Sequence, residues 1–424
     1  MQIRWGLQLR GTLSAKLGTT SAQIAADIQR VASEQSYTVD ELPRSKYHLH
    51  GGIYSSRQIQ QCGGWGLVKR TFFGKDARKE GEIRASQLVN AEVNRLRRSV
   101  GDVEYLGDLI ATVLAKMPPV KLAYKPKANN KKITRTLNAL ISDLHLGSDL
   151  TQGEHLKAYG PKEEAAALWS VVKNICEYKL EHRKETELVV NVLGDIIENE
   201  LHGPAGSAPL HIQVCRAIYL LTQAVGLLSA SFPKVRVNFA VGNHGRDSSV
   251  HPKRATHQKF NAIETGIYYA VKTSCRSLGN VTFTQPLTPW VDYHAQGHRV
   301  YATHGDTNLT PGNPGSSIAT RSLQNQTNQI NAALKDREEY KVFAVGHVHQ
   351  AMVTQLPNGA YLITNGALVP PGGFAQSLNI MEAPQTQVMW ETTAAYPVGD
   401  FRFVTVDQNI KGGQIKAFEG LDDF

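Results

Sequence analysis

The sequence has little cysteine and no long apolar run. Only 4 of its 424 residues are cysteine, and these (62, 176, 215 and 275) lie far apart without a CxxC pair. This usage indicates free thiols in a reducing compartment rather than a disulfide framework. No apolar run approaches the roughly 18 residues that a membrane-spanning helix needs, and the N-terminal residues MQIRWGLQLRGTL lack the apolar segment of a secretory signal. We therefore expect a cytoplasmic location, bacterial or in a phage-infected host, and no membrane partner.

Basic charge is concentrated in the first third of the chain. Hydrophobic residues make up 41% and charged residues 20%, an ordinary globular composition, and 424 residues are enough for two domains. The net charge is +9, but residues 1–135 hold 23 of the 46 Lys and Arg and only 11 of the 37 Asp and Glu. This asymmetry favours a polyanionic partner for the first third. The alternative is a basic, solvated surface on a solubility module.

From residue 136 onward, short apolar runs end five times in polar side chains. Such runs, bounded by turns, predict buried strands of a parallel sheet, and ligands bind at the carboxyl ends of such strands. The polar groups are Asp143-Leu144-His145, Gly194-Asp195, Gly242-Asn243-His244, His304-Gly305-Asp306 and Gly346-His347-Val348-His349. Carboxylate, amide and imidazole donors without any cysteine suit Mn, Fe, Zn or Ni rather than a thiolate-bound structural zinc.

The ordered set D-x-H, G-D, G-N-H, H-G-D and G-H-x-H resembles the calcineurin-like metallophosphoesterase superfamily, over roughly residues 136–370. The resemblance implies an α/β fold, a two-sheet αββα sandwich, with two divalent metal ions, Mn²⁺ being expected and Fe, Zn, Ni or Mg possible. It implies that one metal is held by Asp143, His145, Asp195 and His349, and the other by Asp195, Asn243, His304 and His347. It further implies that a metal-bridging hydroxide attacks phosphorus.

Four further positions follow from the same resemblance. His244 corresponds to the family's non-ligand histidine and is expected to protonate the leaving group as general acid. Asp306 is expected to hold His304 or its neighbour. Glu198 stands where SbcD-type nucleases usually carry histidine, which puts that particular exonuclease mechanism in doubt. Arg246, where many relatives carry an acid, is a candidate phosphate contact.

The polar segment 307–331 could contact phosphate and sugar, with Arg321 as its candidate residue. An ordinary surface loop has the same composition.

The N-terminal part is similar to the small helical repeat found next to many homing-type endonucleases, over about residues 22–74. The similarity lies in a helix followed by Gly51–Ser56, then Ile59 and Gly64-Trp65. It implies a small all-α, helix-turn-helix-like domain, to which we assign residues 1–100. We assign residues 101–135 to a basic linker and residues 136–424 to the catalytic domain. Candidate DNA contacts are Arg57, Lys69 and Arg70. An oligomerisation or packing module is the alternative.

Beyond residue 137, strands alternate with helices, which predicts a parallel or mixed sheet with helices outside. One helix is expected to begin at Pro161, and three more are expected near 208–230, 256–278 and 317–336. After residue 349 the pattern is one of strands and turns, at 352–356, 361–364 and 387–418, which we assign to the second sheet.

Together these features predict a metal-dependent DNA nuclease, endo- or exonucleolytic. One alternative is a phosphomonoesterase with the same metal centre, acting on proteins or small molecules. A second is a non-catalytic DNA-binding protein. The sequence gives no information on a partner ATPase or on the oligomeric state.

Overall fold

The computed structural model describes residues 131–150, 157–199, 208–246, 262–310, 320–334, 337–372, 384–407, 409–410 and 413–417, together with residues 108, 111, 112, 115 and 120. The N-terminal helical domain, most of the basic linker, and Arg57, Lys69 and Arg70 lie outside the described residues. The domain boundaries therefore stay a prediction.

The described part contains four α-helices and eleven strands. The helices are α1 (Pro161–Glu177), α2 (Leu210–Ser231), α3 (Ile263–Ser274) and α4 (Thr320–Ala332). The strands are β1 (Arg135–Ile141), β2 (Thr186–Leu193), β3 (Val235–Ala240), β4 (Val281–Thr284), β5 (Trp290–Ala295), β6 (His298–Thr303), β7 (Tyr340–Val345), β8 (Met352–Gln355), β9 (Tyr361–Thr364), β10 (Thr386–Thr393) and β11 (Phe401–Thr405).

The strands form two sheets. The first has the order β11-β10-β1-β2-β3-β4, and the second has the order β5-β6-β7-β9-β8. Strands β1 to β4 are parallel, as are β6, β7 and β9, whereas β5, β8, β10 and β11 pair antiparallel with their neighbours. The expectation that all strands after residue 349 join the second sheet is wrong for residues 386–405. Strand β10 returns to the first sheet and pairs with β1, because alternation of side chains predicts a strand but does not say which sheet it joins.

Period-two alternation divides the core into layers. Along β1, Leu137 and Ile141 pack in the cluster that contains helices α1, α2 and α3, whereas Leu140 packs between the two sheets. Leu323 of α4 packs on the opposite face of the second sheet. The layers are therefore helix, sheet, sheet and helix, which confirms the α/β two-sheet αββα sandwich.

Helix α2 is the most apolar helix of the described part. It is long and apolar enough to pass a length and composition test for membrane spans, with a mean hydropathy of 1.3, but 89% of that window is buried inside the fold. Its side chains from Val214 to Leu228 pack against α1, α3 and the first sheet. Within this fold it is a core helix.

Candidate metal centre

The loops that follow β1 and β2 run side by side beyond the end of the first sheet. The backbone N–H of Asp143 donates to the carbonyl of Gly194 (3.0 Å), and that of His145 donates to the carbonyl of Asp195 (3.0 Å). These bonds extend the parallel pairing past the strands. The polar side chains that follow each strand are thus held at one edge, as the sequence predicts for strand ends of a parallel sheet.

Two groups of potential ligands lie at this edge. The ligand atoms of Asp143, His145 and His349 lie within 4.8 Å of one another, and so do those of Asp195, His304 and His347. Strands of both sheets contribute, because His304 follows β6 and the two histidines at 347 and 349 follow β7. The centre therefore lies where the edges of the two sheets meet.

Individual distances show how closely these atoms converge. Nε2 of His304 lies 3.1 Å from Oδ2 of Asp195 and 3.0 Å from Oδ1 of Asn243. Nε2 of His349 lies 3.3 Å from Oδ1 of Asp143. A third group, His145, Asp195 and His244, has Asp195 in common with the second group. The third group also contains His145 of the first group, so the three groups form one continuous cluster.

Two imidazoles are oriented by hydrogen bonds on their far side. Nδ1 of His304 lies 2.7 Å from the carbonyl oxygen of Leu193, which only accepts, so Nδ1 is the donor and Nε2 faces the cluster. Nδ1 of His145 lies 2.7 Å from Oε2 of Glu198. Nε2 of His145 is buried and has no hydrogen-bond partner among the described residues. An unpaired buried nitrogen beside two buried carboxylates fits a divalent cation, because a bound metal would satisfy it.

Burial is uneven across the cluster. Asp143 and His304 are fully buried, and Asp195 is 1% exposed. His347 and His349 are partly exposed, so the cluster is open to solvent on the side of the loop after β7.

The backbone is strained at most of the predicted ligands. Eight non-glycine residues of the described part have positive φ, and five of them are Asp143, His145, Asp195, His347 and His349, with φ between 47° and 70°. This left-handed conformation is unfavourable for L-residues, and such strain concentrates at functional sites.

Glycines 194 and 242 serve different purposes. Gly194 has φ 79°, the sharp turn expected after a strand. At Gly242 the requirement is space, since a Cβ there would lie 2.1 Å from Oδ1 of Asp195. The two loops therefore approach as closely as backbone atoms allow.

His244 is held beside the cluster. Its backbone N–H donates to Oδ1 of Asp195 (2.8 Å), and its Nδ1 donates to the carbonyl of Glu198 (2.6 Å). The side-chain amide of Asn199 donates to the carbonyl of His244 (2.8 Å). Because Nδ1 donates to a carbonyl, Nε2 is the atom of His244 that can exchange a proton with a substrate.

The remaining predicted site residues differ in position. Arg246 is half-buried next to the cluster, its carbonyl accepts from Asn199 (3.0 Å), and its Nε has no hydrogen-bond partner among the described residues. Asp306 lies close enough to His304 for its negative charge to help raise the pKa of that histidine. Arg321 is an exposed residue of α4, and no described contact connects it with the cluster.

Buried polar side chains from three helices support the loops, and no sequence pattern predicted them. Glu164 of α1 accepts the backbone N–H of Gly147 (2.6 Å), and Gln213 of α2 accepts that of Asn199 (2.7 Å). Glu264 of α3 accepts the backbone N–H groups of Ile196 (2.7 Å) and Gly242 (2.8 Å). No motif marks these positions. A polar residue on the buried face of a helix is the only signal that the sequence offers.

Burial and charge shift the pKa values of this region. Burial raises the pKa of Glu164 to about 7, against the lowering effect of Arg216. Burial, followed by the charge of Asp195, raises the pKa of Glu264 to about 7. Burial lowers the pKa of His145, but the neighbouring carboxylate of Glu198 outweighs this effect and the pKa rises to about 9. Burial and the positive charge of His304 lower the pKa of His347 to about 4.

No protein-family model matches the chain, and no curated protein matches it. Solved structures are similar at low identity. A hypothetical protein from Pyrococcus horikoshii OT3 is 14% identical, with a TM-score of 0.34 over 65% of this chain and 90% of that chain. A dimetal phosphatase from Danio rerio is 12% identical, with a TM-score of 0.32 over 65% and 100%. An uncharacterized predicted phosphoesterase from Streptococcus pneumoniae TIGR4 is 10% identical, with a TM-score of 0.27 over 64% and 98%.

Proposed function

We propose that the chain is a dinuclear metal-dependent phosphoesterase and that its substrate is DNA. One observation carries the first part: two groups of aspartate and histidine ligand atoms lie in one cluster, and a third group joins His145 of the first to Asp195 of the second. One cation would be held by Asp143, His145, Asp195 and His349, and the other by Asp195, Asn243, His304 and His347. The oxygen and imidazole donors suit Mn²⁺ and also Fe or Zn, so Mn²⁺ is the metal that we propose to test first.

When bound, two divalent cations lower the pKa of water and neutralise charge on phosphoryl oxygens. The chain itself supplies a buried carboxylate, Asp195, whose two oxygens are both directed to neighbours at the cluster. Oδ2 lies 3.1 Å from Nε2 of His304, and Oδ1 accepts the N–H of His244. These two contacts hold the carboxylate of Asp195 between His304 and the loop after β3.

His244 is the residue that we assign to proton donation. Its Nδ1 donates to the carbonyl of Glu198, which fixes the ring and leaves Nε2 directed away from that contact. A histidine with one nitrogen anchored can deliver a proton from the other to a leaving oxygen. Arg246 is half-buried nearby, and its Nε has no hydrogen-bond partner in the described part of the chain, so it is the candidate contact for a phosphate oxygen.

The charge distribution supports DNA as the substrate. Residues 1–135 hold 23 Lys and Arg against 11 Asp and Glu, whereas the rest of the chain has a small acidic excess. Basic segments bind the phosphate backbone by releasing condensed counterions, so this binding weakens as salt increases. A phosphomonoesterase would use the same metal centre without this segment, and a non-catalytic DNA-binding protein would use the segment alone.

The test compares cleavage of closed-circular and linear DNA, with and without Mn²⁺, by four full-length proteins. These are the wild type, His244→Ala, a triple variant with Arg57, Lys69 and Arg70 changed to alanine, and a matched control with the exposed Lys162, Lys179 and Lys272 changed to alanine. We expect the wild type to nick or degrade DNA in the presence of Mn²⁺. This activity should fall sharply in His244→Ala and in the triple variant, and it should be unchanged in the control.

The salt dependence of DNA binding makes the test of the basic segment quantitative. Each lost phosphate contact should reduce the slope of the logarithm of the DNA-binding constant against the logarithm of salt concentration by about 0.9. The slope for the triple variant should therefore be smaller by up to roughly three times that amount. If DNA stays intact while a phosphomonoester is hydrolysed equally by the wild type and the triple variant, the chain is a phosphatase. If DNA binds but no phosphoester is cleaved with any divalent metal, the proposal of an enzyme is wrong.

A further inference from the structure

Glu264 is a fully buried carboxylate of α3 for which the proposed chemistry gives no role. It is the second residue of that helix, and the helix begins against the loop after β3, since the N–H of Ile263 donates to the carbonyl of Gly245 (2.7 Å). A buried acid is costly unless its oxygens are hydrogen-bonded. The partners of Glu264 therefore explain why the fold retains it.

The two oxygens of Glu264 bind two different loops. Oε1 accepts the backbone N–H of Ile196, the residue after Asp195 (2.7 Å). Oε2 accepts the backbone N–H of Gly242, the residue before Asn243 (2.8 Å). One rigid side chain thus connects the loop after β2 with the loop after β3, and each of these loops carries a predicted ligand of the same metal.

The surroundings of Glu264 are shaped for it. A Cβ at Gly245 would lie 2.5 Å from Cγ of Glu264, so the loop has glycine where the side chain passes. The hydroxyl of Tyr268 donates to the carbonyl of Ala240 (3.0 Å) and lies 3.4 Å from Oε2 of Glu264. These contacts leave Glu264 little freedom to adopt another rotamer.

We propose that Glu264 is a positioning residue that sets the separation between Asp195 and Asn243, and so determines the affinity of the second metal site. This inference rests on the proposed function, because it takes those two residues as ligands. The second site would take two of its four ligands from the loops that Glu264 connects. The first site would take one, Asp195, and its other ligands come from the loops after β1 and β7.

Glu264→Gln is the sharpest test, because glutamine keeps the shape of the side chain but can accept only one of the two N–H bonds. Its amide NH₂ would face the other backbone N–H, donor against donor. Glu164→Gln is the matched control, since Glu164 is also a buried acid with a pKa raised to about 7 that accepts a loop N–H. Glu164 accepts from one loop only, whereas Glu264 connects two ligand loops.

The measurement is Mn²⁺ binding to the full-length protein by calorimetry, together with electron paramagnetic resonance of the Mn²⁺-loaded protein. For the wild type we expect two bound Mn²⁺ and the signal of a spin-coupled pair. For Glu264→Gln we expect one dissociation constant to rise at least tenfold, the other to change less than threefold, and the spectrum at two equivalents to be that of isolated Mn²⁺. Glu164→Gln should resemble the wild type.

Gly245→Ala is a second variant that does not remove the carboxylate. The added methyl group would push Glu264 from its position, so the same selective weakening is expected. If a folded Glu264→Gln binds both Mn²⁺ as tightly as the wild type, or if Glu164→Gln weakens binding equally, the inference is wrong. Hydrolysis is measured separately. A wild type that binds two Mn²⁺ and cleaves no phosphoester overturns the proposed function, while the two dissociation constants still decide the role of Glu264.

Discussion

The carboxylate of Glu198 lies 2.7 Å from Nδ1 of His145 and 3.8 Å from Nδ1 of His244. One side chain therefore contacts both a predicted metal ligand and the predicted proton donor. A carboxylate on the far nitrogen of a ligating histidine fixes its orientation and raises its basicity. Glu198, where SbcD-type nucleases usually carry histidine, thus orients His145 in this structure.

Replacing Glu198 should weaken metal binding. Glu198→Ala removes the acceptor that holds the ring of His145, and loss of such a partner typically lowers metal affinity about 10–100-fold. Glu198→Gln keeps an acceptor oxygen and should lower it less. Calorimetric titration with Mn²⁺ measures both, with the exposed Glu339→Ala as control. Equal affinity in Glu198→Ala and the wild type would contradict this role.

Replacing His244 should slow the hydrolysis of substrates with poor leaving groups more than that of substrates with good leaving groups. His244→Ala removes the proposed proton donor, a contribution of about 10²–10⁴-fold in rate, but it leaves the predicted ligands in place. DNA has a poor alkoxide leaving group and should show the full loss. Bis(p-nitrophenyl) phosphate has a leaving group that needs no proton, so its hydrolysis should fall much less. A similar loss of kcat on both substrates would show that His244 acts in some other way.

Metal should stabilise the fold through Asp195. A ligand that binds only the native state adds about 2.7 kcal/mol per site when its free concentration is 100 times Kd. Mn²⁺ should therefore raise the Tm of the wild type, and a chelator should reverse the increase. Asp195→Asn should abolish the increase, because both proposed sites use this residue. Differential scanning calorimetry measures the effect, and a Mn²⁺-dependent increase that persists in Asp195→Asn would place the metal elsewhere.

Glu164 should make the protein less stable as pH rises. Its pKa is raised by burial from 4.5 to about 7, so between these values the native state holds a proton that the unfolded state has released. The stability that this protonation contributes is complete below pH 4.5 and is lost as pH rises through 7. The shift corresponds to at most about 3 kcal/mol.

Glu164→Gln cannot titrate and should remove this contribution. Urea denaturation at pH 5 and pH 8 should show a smaller decrease in unfolding free energy for Glu164→Gln than for the wild type. The exposed Glu339→Ala should behave as the wild type does. If the wild type and Glu164→Gln lose the same stability between the two pH values, another group causes the dependence.

The sequence predicted the strands and the polar residues after them, because both follow from local patterns. Apolar runs end at Asp143, Asp195 and Asn243, and the structure brings these side chains to one edge. The sequence did not predict which sheet each strand joins. Strand β10 pairs with β1 through contacts between residues as distant as Asn138 and Thr392, whose side chains are hydrogen-bonded at 2.9 Å. Such pairing depends on the whole core rather than on any short segment.

The residues that support the loops could not be predicted from the sequence either. Glu264 lies in the segment Ala262–Gly266, where nothing distinguishes it from an exposed acid in the first turn of a helix. Its role becomes visible only when the loops carrying Ile196 and Gly242 are brought together by the fold. Glu164 and Gln213 are similar cases. Motifs identify side chains that face a substrate, whereas the residues behind them follow from three-dimensional packing.

The left-handed backbone at five predicted ligands has a consequence for how the protein tolerates change. Each such residue costs about 1–2 kcal/mol relative to a relaxed conformation, and glycine would remove that cost. Substituting glycine at His347, with φ 70°, should therefore relax the local backbone while it removes a metal ligand. Where no metal is bound, selection for thermal stability alone would therefore favour the loss of these ligands one at a time. Bound metal opposes this loss, because each ligand then contributes to the stability of the folded state.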